Sequence, residues 1–93
     1  MLSEEEWDKM PDLAFVLEPL IMEYIKGNRD AYTAKEIIEN INLHKKIPFN
    51  NMELIHVLKG VEHTLQKLEE FGQLHSKMIP TRDSIDRFYR PAN

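Results

Sequence analysis

His56, Lys59 and His63 follow one another at steps of three and four, and Gln66, Lys67 and Glu70 continue the series. On an α-helix that spacing gathers side chains on one face. The face carries two lysines, two imidazoles and an amide against a single acid, with Met52 at its head. Lysines neutralise phosphates, while imidazole and amide groups pair with base edges; arginine, the commonest reader of guanine, is missing. Lys45, Lys46 and Asn51 precede this stretch, and Lys77, Arg82, Arg87 and Arg90 follow it. The pattern suits recognition of a polyanion. Its plain alternative is a positive fringe that only keeps a surface wet.

Other chemistries find little to use. The chain has no cysteine, which excludes disulfides and thiolate metal sites and fits a cytoplasmic location. It holds no Gly-rich phosphate loop and no nucleophile elbow, so no enzymatic activity and no cofactor are expected. His56 and His63 stand about 10 Å apart along a helix axis, too far to ligate one metal ion together. A zinc or nickel site would have to recruit His44 or His75, across a dimer if need be. Glu69-Glu70 reads as a solvated helix end rather than a catalytic dyad.

With 93 residues, 42% apolar and 30% charged, the chain is expected to form one domain with a modest core. No apolar run approaches the roughly 18–20 residues of a membrane helix, and the opening MLSEEEW is acidic where a signal peptide is basic. The net charge of −4 is unevenly spread. Residues 1–42 hold ten acids and four bases, whereas residues 43–93 hold six acids, eight bases and all four histidines. Such asymmetry predicts two faces with different partners.

The elements that would position these residues are legible in turn. Ser3 with Glu6 has capping-box spacing, predicting a short helical arm over residues 1–10. Leu13, Val16, Leu17, Leu20, Ile21, Tyr24 and Ile25 form a helical stripe that Pro19 either kinks or begins, and Lys26-Gly27-Asn28 stops it. Thr33-Ala34-Lys35-Glu36 is a second capping box, opening a helix of about ten residues with Ile37, Ile38 and Ile41 inside. Asn50 and Asn51 are candidate N-caps for a long helix along Leu54, Leu58, Val61, Leu65 and Leu68. Gly60 in its middle costs about 1 kcal/mol against Ala, which implies a close neighbour there. After Gly72 the period falls to two. Gln73–Ile79 and Ser84–Tyr89 read as strands joined by a turn at Pro80-Thr81-Arg82-Asp83. The expected core is Leu20, Ile21, Tyr24, Ile25, Ile37, Ile38, Ile41, Leu54, Leu58, Val61, Leu65, Leu68 and Leu74.

Helix, short helix, long helix and hairpin is a mainly α architecture with a small β-hairpin. Thr33-Ala34-Lys35-Glu36-Ile37-Ile38 is similar to the start of the second helix in winged helix-turn-helix regulators. Leu65-Gln66-Lys67-Leu68-Glu69-Glu70-Phe71-Gly72-Gln73-Leu74 resembles the end of their recognition helix, and Arg87-Phe88-Tyr89-Arg90-Pro91 the returning wing strand of MarR-like and PadR-like repressors. The resemblance spans about residues 19–91. Beside the acidic arm read over 1–10, it implies one winged-helix domain over 11–93 and a small transcriptional regulator that binds double-stranded DNA as a homodimer. Lys45, Lys46, Asn51, Met52, His56, Lys59, His63 and Lys67 would then serve the groove and its edges, and Lys77, Arg82 and Arg87 the backbone.

Two departures stand beside it. The link from Leu43 to Phe49 is longer than the usual tight turn, and those repressors carry a further dimerising helix after the wing. A dimer surface is therefore expected on the N-terminal segment. The second reading is a winged-helix protein-interaction module that touches no DNA. Leu2, Trp7, Met10 and Met22 would supply an adhesive patch on the acidic half, although Trp7 is more simply expected as a staple folded back on the first helix.

Overall fold

The computed structural model describes residues 1–10, 12–27, 29–43 and 53–92. Among the described residues, four helices, α1 (Glu4–Lys9), α2 (Leu13–Lys26), α3 (Ala34–Asn40) and α4 (Leu54–Glu70), precede an antiparallel hairpin of β1 (Leu74–Pro80) and β2 (Ile85–Pro91). No helix among the described residues is long and apolar enough to cross a membrane.

Local chemistry explains most boundaries. The Ser3 hydroxyl accepts the Glu6 amide at 3.1 Å and opens α1, and Asp12 accepts the Ala14 amide at 3.0 Å to open α2. Pro19 lies inside α2 rather than at its start. Phe15 and Pro19 are both exposed, so the turn that loses a hydrogen bond at the proline lies on the outer side of α2. The Thr33 box is complete: Thr33 Oγ1 accepts the Glu36 amide at 3.2 Å, and Glu36 Oε1 accepts the Thr33 amide at 3.0 Å. α3 is shorter than expected, since Ile41 caps it and Asn42 turns left-handed at φ 55°. α4 begins at Leu54 with Glu53 as its N-cap, a carboxylate that makes no capping hydrogen bond; Asn50 and Asn51 lie outside the described residues. Gly72 at φ 75° ends α4 and lets the Gln73 amide return to the Leu68 carbonyl at 3.0 Å.

The hairpin turn sits one residue later than expected. The Thr81 amide donates to the Ser84 carbonyl at 2.7 Å, and Pro80 remains in β1 opposite Ile85. A further residue joins the sheet. Tyr32, in the link between α2 and α3, exchanges two 2.8 Å backbone hydrogen bonds with Tyr89 of β2.

The core lies where α2, α3, α4 and the hairpin base meet: Leu17, Ile21, Ile25, Ala34, Ile37, Ile38, Ile41, Leu43, Val57, Val61, Leu65, Leu68, Leu74 and Tyr89. Four expected core residues are corrected. Leu54 is 57% exposed although Val57 in the same turn is buried, and Leu20, Tyr24 and Leu58 are only partly buried at the core's edge. The seam of α4 is rotated toward Val57 and Thr64, and the buried Thr64 hydroxyl is satisfied by the Gly60 carbonyl at 2.8 Å. Gly60 has the close neighbour its cost implied: a Cβ there would stand 2.8 Å from Leu13 Cδ2, so α2 crosses α4 at that point. Trp7 is not a staple. It is 70% exposed, and no residue of α1 is buried.

Candidate nucleic-acid interface

The buried residues Val57, Val61, Thr64, Leu65 and Leu68 define the inner side of α4. At 100° per residue, Lys59 falls almost opposite their mean direction. His56, Lys59 and His63 are all exposed, as is Gln66. Leu74 and Tyr89, both buried, root the hairpin against the helices, where Arg90 opposite His75 is exposed, and its outer half runs beside α4 with Lys77, Arg82 and Arg87 exposed.

α4 has two unlike flanks. On one, a shallow 350 Å³ cavity is walled by Asp12, Leu13 and Ala14 from the start of α2 and by His56, Lys59, Gly60 and His63. Lys67 extends this flank but is half-buried, with its ammonium 3.8 Å from Glu18 Oε2 of α2, so part of its charge is already answered. On the other flank an 820 Å³ groove opens between α4 and the hairpin, lined by Leu58, Glu62, Gln66 and Glu69 of α4, by Lys35 of α3, and by Met78 and Ile85 of the hairpin.

The histidine–lysine strip thus borders α2, and the strip that borders the hairpin is acidic. Arg87 belongs to this second flank. It also lines the groove and its Nη1 donates to Ser76 Oγ at 2.8 Å across the hairpin, on the face that carries Tyr89. Burial raises the Tyr89 phenol pKa; Arg87 opposes the shift, and Glu69 and Glu62 add to it. Those two carboxylates therefore act on the hairpin root.

Of the expected contact residues, Lys45, Lys46, Asn51 and Met52 lie outside the described residues. His56, Lys59 and His63 come together, Lys67 is drawn to α2, and Lys77, Arg82 and Arg87 are spread along the hairpin. Sequence reasoning missed Glu62, Glu69, Met78 and Ile85 as one surface. A signal existed for part of it, since Glu62 and Glu69 are seven apart and share a helix face. Among the described residues, no group of three or more His, Asp or Glu side chains could hold a metal ion. No family model, no curated protein and no solved structure matches the chain.

Proposed function

We propose that the chain is a winged helix-turn-helix domain that binds double-stranded DNA as a small transcriptional regulator, with α4 in the major groove and the hairpin along the backbone. The observation that carries this reading is the hairpin standing beside α4 without covering it. Lys59 is left outermost on the helix, and Lys77, Arg82 and Arg90 are exposed on the hairpin. The Tyr32–Tyr89 pairing supports it too. An extended residue between α2 and α3 joins the sheet and ties the hairpin root to the helices.

The test is titration of a mixed duplex library at two salt concentrations. Four phosphates neutralised per copy give a slope of roughly −3 to −4 in log affinity against log salt, and a dimer doubles it. Selective, salt-sensitive binding is the expected outcome; no binding at low salt rejects the reading.

A second reading rests on a different observation. Leu2, Trp7, Met10 and Phe15 are exposed at the acidic end of the molecule, so that end forms a protein interface, in the first instance between two copies. Light scattering of the full chain should show a dimer that Trp7→Ala with Phe15→Ser returns to monomer. A wild-type monomer at high concentration would reject it.

A further inference from the structure

We infer that protonation of His56 and His63 switches on the outer strip of α4, so that mild acid strengthens duplex binding by this helix. The inference rests on the DNA reading and names a regulation of that same surface. Both imidazoles are exposed, and they wall one cavity together with Lys59, which lies between them on the helix. Histidine is the side chain whose charge ordinarily changes between about pH 5 and 8. Two such rings on the outermost side of one helix change its charge by two within that range.

The charges around the rings decide what that change does. Asp12 of α2 lines the same cavity and offsets the charge of Lys59, while its Oδ1 accepts the Ala14 amide at 3.0 Å. Further along, the Lys67 ammonium is 3.8 Å from Glu18 Oε2 of α2. On α4 itself Glu53 stands three residues before His56 and Glu70 seven beyond His63, both exposed. Glu62 adjoins His63 in sequence but lines the groove on the other flank. Among the described residues, none from α1, α3 or the hairpin lines this cavity. With neutral imidazoles the fixed charges therefore leave no positive surplus on the strip. Two protonated rings supply it where a phosphate or base edge would approach. Lysine and arginine keep their charge throughout this range. The hairpin cations thus hold a duplex at either pH, and the switch belongs to the helix.

The experiment titrates the full chain with the mixed duplex library at about pH 5.5 and about pH 7.5, each at two salt concentrations. Affinity is expected to rise about tenfold or more in acid, and the salt slope to steepen by about 1.8, at roughly 0.9 for each phosphate met. His56→Gln combined with His63→Gln should remove the rise, and His75→Gln should leave it. All three sites are exposed, so the variants should stay folded, which circular dichroism at each pH reads directly. By linkage, duplex should hold the His56 and His63 rings protonated to higher pH in a proton NMR titration, and leave His75 unmoved. Equal affinity at the two pH values would overturn the inference and leave the DNA reading standing. A rise that survives the double variant would belong to His44 or His75 and would overturn it too. No binding at either pH would reject the DNA reading, and this regulation with it.

Discussion

The two flanks of α4 are built from one amphipathic stretch, yet they present opposite chemistry. Toward α2 stand His56, Lys59, His63 and Lys67, with Glu70 as the single acid of that face; toward the hairpin stand Leu58, Glu62 and Glu69. A helix that met a single uniform partner would have no reason to sort its charges this way. The sorting places the positive strip where α2 leaves it open and the negative strip in a cleft whose far wall is the hairpin. Charge totals for the whole chain hide this division, because the two strips nearly cancel.

The shared seam beneath both flanks carries the largest expected effect. Leu65 is fully buried at the centre of the core, so Leu65→Ala should cost about 2–5 kcal/mol in denaturant melts. A near-neutral result would mean that the seam does not hold either flank in place.

The next contrast sets the flanks against each other. Lys59→Ala should weaken duplex binding and soften sequence preference, whereas Glu62→Lys should strengthen duplex binding and steepen its salt dependence. Each should move the salt slope by about 0.9 for one phosphate fewer or one more neutralised. Equal effects of both substitutions, in either direction, would show that the flanks are not distinct toward DNA. Arg82→Ala at the hairpin turn should lower affinity for every duplex alike and flatten the slope by roughly one. An unchanged slope would place the turn away from the backbone.

The smallest effect concerns the hairpin root. The Tyr32 phenol is pushed up to about 12, chiefly by its hydrogen bond with Tyr24, with desolvation and the charges of Tyr24 and Asp30 adding. Tyr24 in turn accepts a hydrogen bond from Asn40 Nδ2 at 2.9 Å. A raised phenol pKa means that the fold favours the protonated form. Its contribution is complete below the ordinary value of 10 and is lost as pH rises toward 12. Ultraviolet titration should show Tyr32 and Tyr89 titrating late, and Tyr24→Phe should return only Tyr32 toward the ordinary range. An unchanged curve in that variant would remove Tyr24 as the cause.

Much of the framework was legible residue by residue. The Ser3 and Thr33 caps, the stripe through Ile21 and Ile25, the stop at Gly72 and the change of period into the hairpin all follow from local rules. The close approach at Gly60 was legible as well, because a glycine inside a long helix needs a reason. Less was readable where a side chain's fate depends on distant chain. Leu54 continues the leucine spacing but finds no neighbour to bury it, and Tyr89 looks like one more strand residue until Tyr32 pairs with it.

The candidate site divides along the same line. Periodicity alone set His56, Lys59 and His63 on one outward strip, since spacing at 100° per residue needs no knowledge of neighbours. Only the packing of α2 across Gly60 and of the hairpin through Leu74 and Tyr89 decided which element lies beside each strip. A helical wheel gives directions from one axis. The surroundings in each direction come from chain that is far away in sequence.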